Sequence, residues 1–325
     1  MRVLSKAFLF TTILLLGLEL IARTMFSDAF YGRFDYGYHP TAGFVEKPGK
    51  VEVRNIGGRK FWEQEFARQK PRGGIRIFTI GDSISRGKGL KFAYPHYLGE
   101  LLRERGYQVE SLNLSSPGYG VRRRMVVLEQ ALKYQPDLII LHLNDSNEFE
   151  DEREWRRAQE ARSWHPDQWF MKSYVIARLH EAKTELLFWK LPLDIRSTRE
   201  VDDHDAELAA EQNTETAARW EKLFRDKTTE TVRLLQQRGV PVLLLGKAVL
   251  EAGKDTLDDQ GKDVFINSLL GPGVYMVSTR AVFTPYARRA DYFVDGTHWS
   301  PEGHRIMAKA LLPIVEKAIA IRPGM

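Results

Sequence analysis

Short apolar runs alternate with longer stretches of helical period through residues 73–320. The runs 75–80, 108–114, 138–143 and 240–245 are rich in β-branched residues and leucine, and each is bounded by polar or turn residues. They read as strands, and the near-continuous Leu138-Ile139-Ile140-Leu141-His142-Leu143 is the type buried on both faces of a parallel sheet. Residues 274–277 and 292–294 are two further short strand candidates. Between them lie amphipathic stretches over 94–105, 121–134, 206–237 and 301–320. Gly106, the Gln135-Pro136 pair and Gly239 stop the first three. Ser300, Pro301 and Glu302 open the last as N-cap, first helical residue and first-turn acid. Strand and helix in alternation predict an α/β three-layer sandwich around a mostly parallel sheet. In such sheets ligands bind at the carboxyl ends of strands.

Two regions fall outside that alternation. Residues 7–22 are an apolar run broken only by Thr11, Thr12, Gly17 and Glu19, with Arg2 and Lys6 ahead of it. This predicts an uncleaved signal anchor over 1–25, a transmembrane segment with a cytoplasmic tip and the rest of the chain outside. A cleaved signal peptide is the alternative, although no small-x-small site follows Ala22. Residues 26–72 read as an irregular linker with short strands, closed by Pro71-Arg72-Gly73-Gly74. Residues 148–238 read as a helical insertion and long helix, with Trp155, Trp164, Trp169 and Trp189 as packing residues.

Composition narrows the classes. A chain of 325 residues with 43% hydrophobic and 28% charged residues buries a sizeable core. The net charge of +5 is spread out, and Arg122-Arg123-Arg124 reads as a solvated helix face without any nucleic-acid recognition motif. The absence of cysteine excludes thiol nucleophiles, thiolate metal sites and disulfides.

Candidate chemistry collects at four strand ends. These are Gly81-Asp82-Ser83-Ile84-Ser85, the loop 113–120 with Pro117-Gly118, Asn144-Asp145, and Asp295-Gly296-Thr297-His298. A serine hydroxyl needs a base, and a histidine base needs an orienting carboxylate. Asp295 and His298 are close enough in sequence for one tight turn to join them. Backbone N–H groups at Ser83 and Gly118 and the side-chain amide of Asn144 are candidate donors to an oxyanion. An ordinary Pro-Gly turn is the alternative for Gly118, and Gly120 is close by. The segment 81–89 has the wrong spacing for a phosphate loop and lacks the second glycine of a G-x-S-x-G elbow. Asp202-Asp203-His204-Asp205 reads as helix capping, not a metal site. His304 and His96 read as structural.

Together these blocks resemble the SGNH, or GDSL-type, hydrolase superfamily, over roughly 73–320. The resemblance implies a flavodoxin-like α/β/α fold with Ser83 as nucleophile, His298 as base and Asp295 orienting it. It implies an oxyanion hole of Ser83, Gly118 and Asn144, with no metal and no organic cofactor. It departs from the family at His142, where a glycine usually stands two residues before the asparagine. The implied activity is serine ester hydrolysis, and the expected anchor with Arg2 and Lys6 inside places it at the periplasmic or extracellular face of a membrane. A carbohydrate O-acetyl ester is the first substrate expected. Acyl transfer to a polysaccharide hydroxyl and cleavage of a lipid ester are the alternatives. An inactive binding or scaffold protein is the reading from another class, and the intact set of Ser83, Asn144, Asp295 and His298 argues against it.

Overall fold

The structure, a computed structural model, describes residues 2–30, 43–54, 61–152, 154, 155, 173, 175, 213–251 and 254–320. Its centre is a parallel sheet of five strands: β4 (Ile75–Ile80), β5 (Val109–Asn113), β6 (Leu138–Leu143), β7 (Val242–Gly246) and β8 (Val274–Ser278). Their spatial order is β8-β7-β6-β4-β5. In chain order along the sheet this is 2-1-3-4-5, the flavodoxin-like arrangement that the family resemblance implies. The chain leaves β4 toward β5 on one side and returns to β6 on the other. A crevice therefore opens between the carboxyl ends of β4 and β6, which is where Ser83 and Asn144 follow their strands.

The two-residue period of the strands sorts the core into two layers. Phe78 and Ile80 of β4, Ile139 and Leu141 of β6, and Val242 and Leu244 of β7 face one side. There they meet α4 (Val121–Ala131) and α5 (Thr214–Gln237). Ile75, Ile77, Leu138, Ile140, Leu243 and Leu245 face the other side, against α3 (Tyr94–Glu104) and α6 (Pro301–Ala320). Each wholly buried aliphatic side chain stabilises the fold by roughly 1.5–3 kcal/mol.

The helix ends follow local chemistry. Asn213 caps α5 by accepting from the Glu215 and Thr216 N–H groups, so the described helix starts at Thr214. Ser300 caps α6 through the Gly303 N–H, as its sequence predicts. The strand expected over 292–294 is instead a 3-10 turn at Arg289–Tyr292 followed by a single antiparallel bridge, Phe293 to Trp299.

Ahead of β4, three strands form an antiparallel sheet: β1 (Phe44–Lys47), β2 (Lys50–Val53) and β3 (Gln64–Ala67). Phe44, Val51, Val53, Phe61 and Phe66 join the main core instead of standing apart from it. Gln64 pairs its side-chain amide with both the N–H (2.9 Å) and the carbonyl (2.8 Å) of Asn113, closing the edge of β5 as a neighbouring strand would. Wholly buried Arg76 ties the two sheets, donating to Glu110, to the Tyr134 carbonyl and to the Ala67 carbonyl.

Residues Arg2–Phe30 form one helix, α1. Among the described residues no helix is long and apolar enough to cross a membrane, so the expected transmembrane span is not supported. Glu19 interrupts the apolar run and accepts hydrogen bonds from the Ser173 hydroxyl and the Val175 N–H. Apolar side chains of α1, such as Phe8, Phe10 and Leu16, are exposed. Most of the insertion, including Trp164, Trp169, Trp189 and Asp202–205, lies outside the described residues.

Candidate active site

Ser83 and the neighbouring pair Asp295 and His298, 215 residues apart at the Ser83–His298 contact, form one hydrogen-bonded line. The Ser83 hydroxyl lies 2.8 Å from His298 Nε2. His298 Nδ1 lies 3.0 and 2.9 Å from the two oxygens of Asp295. An ionised carboxylate only accepts, so Nδ1 carries the ring proton and Nε2 is left to accept from Ser83. The turn that makes this possible is fixed on both sides. Val294 N–H donates to the His298 carbonyl, inside the Phe293–Trp299 bridge, and the Thr297 and His298 N–H groups donate to Asp295 Oδ1.

Burial works to raise the Asp295 pKa, but the His298 and Thr297 N–H groups and the Lys88 ammonium outweigh it. The carboxyl is held well below its usual range. Lys88 Nζ is 3.1 Å from Asp295 Oδ2. Asp295 therefore stays ionised at any pH at which a histidine base works.

Ser83 opens a single helical turn, α2 (Ser83–Arg86), whose N-cap is Asp82. Asp82 is wholly buried and uses both oxygens. Oδ1 accepts from the Ile84 N–H at 2.9 Å, while Oδ2 accepts from the Asn144 and Asn147 side-chain amides, the latter at 2.8 Å. One carboxylate thus holds both the start of the Ser83 turn and the Asn144 amide. Asn144 Oδ1 is in turn occupied by the Ser146 N–H and hydroxyl, which fixes the amide orientation.

Gly118 sits in the left-handed region at φ 73°. That conformation favours glycine, whereas the Glu150 carboxylate that a Cβ there would meet is the end of a flexible side chain that can swing aside. The loop is tied to the segment after β6 through the start of α4. That helix has no side-chain N-cap of its own. Glu148 accepts from the Val121 N–H at 3.0 Å, and Asp151 accepts from the Arg122 N–H at 3.0 Å and from Arg123. The arginine run is therefore not a solvated face. Arg123 and Arg124 are buried, and Arg124 donates to the His142 and Asn144 carbonyls at 2.9 and 2.8 Å. Arg122 lies over the Trp155 ring.

The structure thus joins Ser83, His298 and Asp295 directly, and links Asn144 and the Gly118 loop to them through Asp82, Arg124 and the 148–151 segment. Sequence reasoning gives no role to Asp82, Glu148 or Asp151. Only Asp82 has a signal, as the residue between Gly81 and Ser83. Among the described residues no cluster of histidine and acidic residues is arranged to hold a metal ion.

Several groups in and behind the site make folding pH-dependent. Burial lowers the His142 pKa to about 4 and that of His304 to about 3. Burial pushes the Glu148 carboxyl up to about 8, against the pull of Arg124. Below pH 6.5 both histidines become charged in the unfolded chain before they do in the folded one, so acidification toward pH 4 removes stability. Glu148 acts oppositely, because between 4.5 and about 8 only the folded chain holds its proton. Two histidines outweigh one carboxyl below pH 6.5, and above it only the carboxyl changes. Urea midpoints are expected to be highest near pH 6.5 and lower at both pH 4.5 and pH 8.5. A midpoint that rises steadily across that span contradicts the Glu148 part. One that is flat from 4.5 to 6.5 contradicts the histidine part.

The chain resembles the acetylxylan esterase of Geobacillus stearothermophilus at 17% identity, covering 78% of this chain and 98% of that one, with a TM-score of 0.45. It resembles the acetyl xylan esterase AlAXEase at 15% identity, covering 74% and 100%, with a TM-score of 0.45. Comparison with curated proteins gave no match. The model of the GDSL-like lipase/acylhydrolase family matches residues 79–306, well over half of the chain, and it runs from β4 into α6. Spanning every strand end described above, that match makes the chain a member of the GDSL-like lipase/acylhydrolase family and a carboxylic ester hydrolase.

Proposed function

We propose that the protein removes acyl groups, chiefly O-acetyl, from hydroxyls of cell-surface carbohydrate, using Ser83, His298 and Asp295 as a catalytic triad. The observation that carries this reading is the unbroken line from Asp295 through His298 to the Ser83 hydroxyl. His298 Nε2 takes the Ser83 proton as the serine oxygen bonds to the ester carbonyl carbon. The carbonyl oxygen becomes an oxyanion, for which the Ser83 and Gly118 N–H groups and the Asn144 amide are the donors. Collapse breaks the carbon–oxygen bond to the alcohol, which leaves with the proton from His298. Water, deprotonated by the same nitrogen, then attacks the acyl-enzyme and regenerates Ser83. Asp295 remains ionised and holds the ring in one tautomer.

A polar alcohol is supported by the charged groups around the line. Lys88 stands beside Asp295, and Glu150, partly exposed, stands beside Gly118. Both are suited to hydrogen bonding with a polyol. A setting outside the cytoplasm, held to a membrane by α1, is supported by Arg2 and Lys6 ahead of the apolar run and by the exposed apolar side chains of the helix. Recovery of the full-length protein in a soluble fraction without detergent would sink that part.

The test of substrate uses the full-length protein on p-nitrophenyl acetate, butyrate and decanoate and on an acetylated glycan, with and without an acceptor sugar. Acetate release from the glycan, with kcat/KM falling as the acyl chain lengthens, is expected. Preference for decanoate favours a lipid ester instead. Acyl transfer to the acceptor that outpaces hydrolysis favours a transferase. Inactivity on every ester supports a binding or scaffold role.

A further inference from the structure

His142 occupies the place where three strand-end loops meet. It is wholly buried near the end of β6, two residues before Asn144. The strand period turns its side chain away from Leu143 and toward the layer that holds Tyr94 and Trp299. There its Nδ1 lies 2.7 Å from the hydroxyl of Ser85, two residues after Ser83 in the same helical turn. Its ring stacks on Trp299, with centroids 5.3 Å apart at 26°. Trp299 directly follows the base His298. Tyr94 closes the third side, 6.0 Å away and edge-on.

The packing around this group is tight. A Cβ at Gly81 would overlap the Ser85 hydroxyl and lie 2.9 Å from His142 Cβ, so β4 enters the nucleophile turn pressed against the pair. The Ser85 carbonyl accepts from the Asn113 side chain at 2.7 Å, which brings the end of β5 into the same assembly. The His142 carbonyl is held by Arg124. His142 Nε2 has no hydrogen-bond partner among the described residues, so the ring's polar contact is the one to Ser85.

We propose that His142 is a positioning residue that holds the Ser83 turn and the His298 turn in register with Asn144, through the Ser85 hydroxyl on one side and the Trp299 ring on the other. The proposal rests on the triad reading above. It gives the histidine at this position a purpose: a glycine there offers neither the hydrogen bond nor the stacking surface. An error of about 1 Å in such a register costs on the order of 100-fold in rate.

The test compares full-length wild type with His142→Phe, His142→Asn, Ser85→Ala and the S85A/H142F double variant. Initial rates on p-nitrophenyl acetate are divided by the sites found in an end-point titration with a fluorophosphonate. His142→Phe keeps a ring against Trp299 but loses the hydrogen bond. It is expected to lower kcat per titrated site by about 10- to 100-fold, with KM within about threefold. Ser85→Ala is expected to lower kcat comparably, and the double variant no further than the larger single effect, because both remove one contact. His142→Asn restores a polar atom near the place of Nδ1 and is expected to recover part of the loss. A role in folding alone lowers the titrated fraction and leaves kcat per site unchanged. That result, or losses that multiply in the double variant, overturns the proposal. Should His142→Phe fail to fold, Ser85→Ala decides the same question, since it deletes a single hydroxyl. Wild type that is not labelled at Ser83 overturns the triad reading itself. Labelled wild type with unaffected variants overturns the His142 proposal alone.

Discussion

Ser83→Ala is expected to lower kcat on p-nitrophenyl acetate by about 10⁴-fold or more, with the folded structure intact. The size follows from what the hydroxyl does. As the proposed nucleophile it supplies the bond that splits one difficult displacement into two easier ones, and the other hydroxyl on the turn, that of Ser85, is turned to His142. Removal of a triad nucleophile elsewhere costs roughly 10⁶-fold, with a residual rate left to oxyanion donors and binding alone. Little structural loss is expected, because the Ser83 hydroxyl contacts His298 and caps nothing. The N-cap of its turn is Asp82, which the variant leaves in place. The measurement is steady-state hydrolysis by wild type and variant, with circular dichroism as the folding check. Activity within tenfold of wild type contradicts the nucleophile assignment.

The second large effect is expected at Asn144. Its Nδ2 group is oriented by Asp82 and its Oδ1 by Ser146, so the amide is fixed before any substrate arrives. A preorganised donor stabilises the oxyanion without reorganising during the reaction. Asn144→Ala is expected to lower kcat by about 10²- to 10³-fold, with KM changed much less. The loss is smaller than at Ser83 because the Ser83 and Gly118 N–H groups remain. Asp82 keeps its bonds from Ile84 and Asn147, so its buried charge is not left bare. Steady-state kinetics on p-nitrophenyl acetate measure the split between kcat and KM. A variant that raises KM alone shows Asn144 to be a substrate contact and not an oxyanion donor.

Much of the fold is legible along the chain, because parallel strands covered on both faces must be apolar throughout. Residues 138–143 and 240–245 declare themselves in this way. The Asp295–His298 turn is legible because its partners are three residues apart. The structural groups around the site are not. Asp82 meets Asn144 across 62 residues of sequence, and Glu148 reaches the Val121 N–H across 27. No local period reports such pairs. The buried arginines misled for the same reason. Arg123 and Arg124 look solvated until the end of β6 and the segment after it bring the His142 and Asn144 carbonyls and Asp151 to them. The sheet of β1, β2 and β3 was legible only as short strands, since Lys50-Val51-Glu52-Val53 alternates for too few residues to show what its apolar face covers. At α1 the apolar run was plain, but Glu19 took partners near residue 173 that sequence spacing does not foretell.

The most direct test of the account is covalent trapping. Full-length protein is treated with a fluorophosphonate, digested, and the modified peptide sequenced by mass spectrometry. The account predicts a single adduct on Ser83, formed in wild type and lost or greatly slowed in His298→Ala. An adduct on Ser85, Ser115 or Ser116 instead, or labelling of Ser83 that is indifferent to His298, would contradict it.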